Sequence, residues 1–235
     1  FVSSYTNYYE FSTSKVGNED HIADGSPGYF DAESWEITIG GLVPEEITLT
    51  ARELIDMFGI EERVLRHRCV EAWSVVVPWA GFPMAQLIDW AKPSEEANFI
   101  KFTTWDDEGV RTGSRRWPWP YVEGLTMDEA AGEMAFFGVG AYQRDLFAVN
   151  GGPLRAVLPY KYGFKSAKSI RRIDFVSTRP VTFWDGFSDE YGFFANINPD
   201  RPHNRWSQAR ETAFSTDSQG AVSTERVETK LFNGY

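Results

Sequence analysis

A chain of 235 residues, 42% of them hydrophobic, can bury a substantial core in one large domain or two small ones. Its formal net charge of −11 argues against a nucleic-acid binder, which would want a basic face. No apolar run approaches the roughly 20 residues that span a bilayer, and a single cysteine, Cys69, excludes an intramolecular disulfide, a CxxC pair and an all-cysteine zinc site.

In chain order, residues 1–34 are polar and turn-rich up to Gly25-Ser26-Pro27-Gly28, and read as an extended arm laid over a core. Trp35 to Ile39 alternates as a strand, Gly40-Gly41 turns the chain, and Thr48 to Thr50 is a second short strand. Ala51 to Phe58 has apolar residues at helical spacing and stops at Gly59. Glu62 to Val70 reads as a strand leading into the cysteine. Phe82 to Ala91 reads as a short helix with Pro83 in its first turn. Phe99 to Thr104 is a strand, Arg115 to Pro120 a Trp/Pro loop, and Thr126 to Ala130 a helical turn with acids near its start. Leu154 to Pro159 and Ile170 to Val176 are strands flanking a basic, glycine-bearing loop, Lys161 to Ser169. Beyond Thr178 the chain reads as irregular but packed, because Trp184, Tyr191, Phe193, Phe194 and Trp206 need burial. Strands and short helices mix without βαβ regularity, which predicts one α+β domain over 1–235.

Four groups of residues could carry chemistry. Cys69 is either a buried filler or a reactive or metal-binding thiol. Arg66, His67 and Arg68 crowd before it, and cations lower a thiol pKa. A Cys–His nucleophilic pair has thin support, with only His21 and His203 besides His67. Lys161, Lys165 and Lys168 around Gly163, with Arg155, concentrate cations in an acidic chain and suggest either an anion cradle or a solvated hairpin. The arm segment Asn7 to Phe11 would either cover a ligand or anchor the terminus. Trp73, Trp79, Trp105, Trp117 and Trp119 would be core residues or the walls of a site for a large planar ligand.

The run Arg68-Cys69-Val70-Glu71-Ala72-Trp73-Ser74, continued through Val77-Pro78-Trp79 and Gly81-Phe82-Pro83, resembles the molybdenum-ligand segment of the protein-methionine-sulfoxide reductase catalytic subunits, within the sulfite oxidase superfamily. The resemblance extends over Asn7 to Phe11, Tyr121 to Leu125, Asn150 to Lys168, Asp189 to Phe193, Arg205 to Gln208 and Leu231 to Tyr235, nearly the whole chain.

It implies a single molybdopterin-binding domain with mixed sheets, short helices and long loops. It also implies one molybdenum on a molybdopterin without an attached nucleotide, Cys69 being the thiolate ligand. By the same carry-over, Asn7, Tyr9, Glu10, Thr104, Asn150, Arg155, Ser166, Ala167 and Lys168 would contact the cofactor. Asn7 would sit near the metal and Arg155 at the phosphate. Two departures matter. The arm's usual asparagine pair is here Thr6-Asn7, and the usual Lys-Gly-Ile-Lys loop is Lys165-Ser166-Ala167-Lys168, which requires a negative φ where the glycine would stand. The expected activity is reduction of sulfoxides, above all methionine sulfoxide in proteins. Electrons would come from a haem-containing membrane subunit, and the catalytic subunit would be a periplasmic monomer. Phe1 in place of Met suggests a processed or truncated chain, which leaves room for a lost export signal. The rival expectations are oxidation of a small sulfur oxyanion such as sulfite, and a metal-free binding module retaining the fold.

Overall fold

The computed structural model describes residues 7–10, 30–107, 117–217 and 219–235. Most of the expected arm over 1–34, with Thr6 and His21, lies outside them, as do Arg115 and Arg116 of the Trp/Pro loop. Among the described residues, no helix is long and apolar enough to cross a membrane.

Two mixed sheets enclose the main core. The smaller contains β1 (Glu36–Gly41), β2 (Ile47–Thr50), β5 (Phe99–Thr104), β6 (Val122–Thr126) and β10 (Ile170–Val176), in the order β2-β1-β10-β5-β6. The larger runs β12-β11-β4-β7-β8, formed by β4 (Trp73–Pro83), β7 (Phe136–Ala141), β8 (Arg144–Asp145), β11 (Arg210–Thr216) and β12 (Val222–Glu228). Two further strands join it: β3 (Glu61–Cys69) pairs with β4, and β9 (Arg155–Val157) pairs with β7. Strands β1 and β10 pair in parallel, as do β4 and β11, whereas β3 and β4 form an antiparallel hairpin. Ile37, Ile39, Phe102, Ile173 and Phe175 from the smaller sheet, with Trp35 just before β1, share one core cluster with Phe82, Phe137 and Ala156 from the larger and Leu154 just before β9. Each large apolar side chain buried there contributes about 1.5–3 kcal/mol.

Helices α1 (Ala51–Phe58), α2 (Met84–Ala91) and α3 (Met127–Ala131) are short and begin for identifiable reasons. Thr50 and Glu53 form a reciprocal capping box on α1, and Thr126 and Glu129 do the same on α3. Gly59, with φ 74°, ends α1. The helix expected from Phe82 starts later, at Met84: Gly81, Phe82 and Pro83 complete β4, opposite Gly138, Phe137 and Phe136. Gly81 is required there, since a Cβ would fall 1.9 Å from the Phe137 carbonyl oxygen.

The tail beyond Thr178 is not irregular throughout, because β11 and β12 form a hairpin within it. Nor is every aromatic there buried: Trp184 and Tyr191 are, whereas Phe194 is exposed. The segment between β9 and β10 crosses from the larger sheet to the smaller, which places residues 158–169 over the end of the β3–β4 hairpin.

Candidate cofactor site

Cys69 is the last residue of β3, opposite Trp73 across the three-residue turn Val70-Glu71-Ala72. The turn closes with the Ala72 N–H donating to the Cys69 carbonyl at 3.1 Å, and Ala72 takes the left-handed conformation (φ 61°) usual at the end of such loops. The Glu71 N–H lies 3.5 Å from Cys69 Sγ, a donor that favours the thiolate. The thiol is buried within the chain yet lines a cavity.

Strand geometry corrects the expected cationic frame around this thiol. Side chains alternate across a strand, so His67 and Cys69 face the cavity while Arg66 and Arg68 face away. Arg68 is fully buried and pairs with Glu211 at 2.5 Å; it also donates to Gln208, Thr229 and the Cys69 carbonyl. Arg66 takes the other Glu211 oxygen at 2.7 Å. His67 shares the thiol's face, but burial and the nearby Arg155 and Lys168 charges lower its pKa to about 3, so the ring is neutral.

The basic loop divides in the same way. Lys161 is spent on Glu129 at 2.5 Å and on the Phe194 carbonyl and Asn196. Lys165 is spent on Glu123 at 2.5 Å, both side chains being buried. These two lysines clamp the crossing segment to β6 and α3 and form no anion cradle. Lys168 and Arg155 do line the cavity. Lys168 Nζ donates to the Asn7 carbonyl and lies 4.4 Å from the Tyr8 ring centroid. Arg155 donates to the Asn150 carbonyl and lies over Trp79, and burial lowers its pKa to about 10.

Of the residues expected at the site, Asn7, Tyr9, Glu10, Cys69, Asn150, Arg155, Ser166 and Lys168 share this one cavity. Thr104 and Ala167 stand behind its wall. Thr104 donates to Glu10 at 3.4 Å, and the backbone of Ala167 pairs with Ala156 and Lys165. Ser166, where the related loop carries glycine, has φ −84°, so a side chain is accommodated. Trp73 and Trp79 line the cavity, whereas Trp105 is in the core and Trp117 and Trp119 pack around Phe183.

The wall also contains His67 and Glu71, which the sequence set beside the thiol without a role at the cofactor, and Tyr121, Val149, Trp184 and Tyr191, which were not among the expected site residues. For His67 the signal was available: it lies two residues before Cys69 in a strand, hence on the same face. Tyr191 and Trp184, stacked at 4.3 Å, come from the irregular tail, where no periodicity points anywhere.

Among the described residues, Asn7 Oδ1, Trp79 Nε1 and Ser166 Oγ are buried cavity-wall atoms with no hydrogen-bond partner in the protein. Unsatisfied buried polar atoms are costly. Their grouping with two cations and a thiol fits a polar, anionic, metal-carrying ligand. No group of three or more His, Cys, Asp or Glu side chains among the described residues is placed to hold a metal ion. A metal bound by Cys69 would therefore draw its other ligands from a cofactor.

Two expected outcomes arise here. Burial raises the Glu10 carboxyl pKa to about 7, the Lys168 charge opposing it only in part. The folded chain then holds a proton that the unfolded chain has released, so this group's contribution to stability falls as pH rises from about 4.5 to about 7. Glu10→Gln should flatten that part of the stability–pH curve, as read by urea unfolding across the range. Gly163 lies so close to the histidine that a Cβ would be 2.5 Å from His67 Nε2. Gly163→Ala should displace the imidazole and lower cofactor retention severalfold with little loss of fold, measured as pterin released per chain.

The model of the oxidoreductase molybdopterin-binding domain matches residues 24–184. The protein-methionine-sulfoxide reductase catalytic subunit MsrP of Pseudomonas syringae pv. tomato is 44% identical over all of this chain and 68% of its own length. Its counterpart from Campylobacter jejuni is 43% identical over all of this chain and 76% of its own. Among solved structures, the sulfane dehydrogenase SoxCD of Paracoccus pantotrophus superposes with a TM-score of 0.55 at 13% identity. That match covers 85% of this chain but 46% of the SoxCD chain, and it establishes the fold alone.

Proposed function

The chain belongs to the oxidoreductase molybdopterin-binding family, and on that premise we propose that it reduces sulfoxides, its substrate being methionine sulfoxide carried by proteins. The observation that carries this reading is the cavity itself, a thiol beside an N–H donor, two cations and three unpartnered polar atoms. When bound, the molybdenum–molybdopterin group would supply the two-electron redox chemistry by which a sulfoxide, two electrons and two protons give a thioether and water.

The chain's own residues have distinct tasks. Cys69 Sγ gives the metal a thiolate, and the Glu71 N–H favours its charged form. Arg155 and Lys168 hold the cofactor phosphate, for which a buried guanidinium and ammonium are well suited. Trp79 Nε1 and Ser166 Oγ would hold polar groups of the cofactor, and Asn7 Oδ1 would lie near the metal as a catalytic neighbour of Cys69. Thr104 and Ala167 act from behind, Thr104 by orienting Glu10. Tyr9, Trp184 and Tyr191 wall the cavity against water. A dianion such as sulfite suits the site less well, because the Glu71 carboxyl shares the wall with only two cations, Arg155 and Lys168.

The relatives are named as catalytic subunits. That wording supports a partner subunit; a haem-bearing membrane electron donor and a periplasmic setting belong to this reading through the family resemblance. The test is elemental analysis of the chain from a host that makes molybdopterin, with methionine formation from an oxidised protein under reduced viologen. Close to one molybdenum per chain with methionine released is expected. A metal-free product, or one that oxidises sulfite and leaves sulfoxide untouched, overturns the reading.

A further inference from the structure

Beside the cofactor cavity lies a second, larger depression, a groove of about 540 Å³. Val70 and Phe164 line both, so the two spaces adjoin at the turn that carries Cys69. The floor is fixed to that turn: Gln208, which lines the groove, donates to the Val70 carbonyl at 2.7 Å. Large apolar side chains edge the groove in the open, with Phe194 56%, Leu231 51% and Phe232 40% exposed.

The chain holds these rings outward at some cost. Phe232 takes a left-handed backbone conformation (φ 50°), unusual for a bulky residue. Its turn is clamped from beneath by Asn233, which donates to the Arg66 and Pro159 carbonyls at 3.0 and 2.9 Å. Asn196, Asn198 and Arg201 also line the groove, amide and guanidinium groups suited to the carbonyls of an extended chain.

We propose that this groove binds the stretch of polypeptide on either side of an oxidised methionine while the sulfoxide side chain enters the cofactor cavity. The inference rests on the sulfoxide-reductase reading and adds to it the place where the flanking chain binds. Geometry selects this occupant. Only three single bonds, each under about 2 Å, separate a methionine sulfur from its Cα. A backbone that delivers the sulfur to the cavity must therefore run past the mouth, and the groove adjoins the cavity there. Its lining combines aromatic and aliphatic side chains with amides and charged groups, which matches an unfolded peptide better than the broad face of a folded partner.

The test uses the loaded enzyme with reduced viologen and compares two substrates, a peroxide-oxidised unfolded protein and the free amino-acid sulfoxide. In the double variant Phe194→Ser/Leu231→Ser, KM for the oxidised protein should rise about tenfold, while kcat/KM for the free sulfoxide stays within about twofold. Equal losses on both substrates, or no loss on either, overturn the proposal. So does a loss confined to turnover driven by the membrane donor, which assigns the groove to that partner. A variant-sensitive dimer in sedimentation assigns it to a second copy and overturns the proposal likewise. If wild type reduces neither substrate, the sulfoxide reading has failed on its own terms. Anisotropy of a labelled methionine-bearing peptide then decides the groove: binding that the double variant loses sustains it as a peptide site, and absent binding removes it.

Discussion

Replacing Cys69 by serine should abolish sulfoxide reduction, by on the order of a thousandfold or more, while leaving the fold intact. The substitution is nearly isosteric and the site is a hairpin turn, so the stability change should stay within about 1 kcal/mol. What changes is the ligand. A thiolate is a soft ligand, whereas a serine hydroxyl is a hard oxygen donor that stays protonated at neutral pH. Arg155, Lys168, Asn7 and Ser166 remain in place, so the variant should still retain pterin. The expected result is therefore a split: pterin content close to wild type, an altered metal spectrum and no turnover. Wild-type turnover in Cys69→Ser would remove the thiol from the mechanism altogether.

The second large effect lies behind the site. Glu211→Ala should destabilise the chain by about 3–5 kcal/mol, because it strands the fully buried Arg68 guanidinium without its counter-charge. Gln208 and Thr229 would still accept from Arg68, but neither carries charge. Urea unfolding should show a lower midpoint with little change in slope. The double variant Arg68→Met/Glu211→Leu should lose less than Glu211→Ala alone, since both charges leave together. Burial alone would raise the Glu211 pKa, but hydrogen bonds from Ser74 and Thr229 and the Arg68 charge hold it below the usual carboxylate value. Its contribution is complete above a pH of about 4.5 and is lost as pH falls through the folded value, so the wild type should weaken in acid more steeply than the double variant. A Glu211→Ala chain as stable as wild type would contradict the burial and pairing described here.

Much of this was legible in the chain, for reasons that differ by element. Helix α1 and strands β5 and β10 have the bounds expected, because clean alternation or a glycine stop marked them. Strand β4 was not identified, since an apolar run holding Pro78 and Gly81 has neither period. The β11–β12 hairpin escaped because β12 is exposed along almost its whole length and shows no alternation to read. At the site, the cysteine motif and the loop from Asn150 to Lys168 led to the cavity by resemblance. Counting Arg66 and Arg68 as neighbours of the thiol failed, because nearness in sequence was taken for nearness in space. The alternation of a strand contained the answer. Lys161 and Lys165 misled for a related reason, since composition reports a charge but not the carboxylate already facing it.

One carboxylate, Glu211, serves two guanidinium groups of unequal burial, Arg68 fully enclosed and Arg66 partly open to solvent. That inequality constrains how the sequence can drift. Position 66 can change first, since water can take over part of its role. Positions 68 and 211 are locked to one another, and a lineage that loses either must pass through a destabilised intermediate before the other follows. Across descendants of this chain, 68 and 211 should therefore change as a pair or not at all, while 66 varies independently of them.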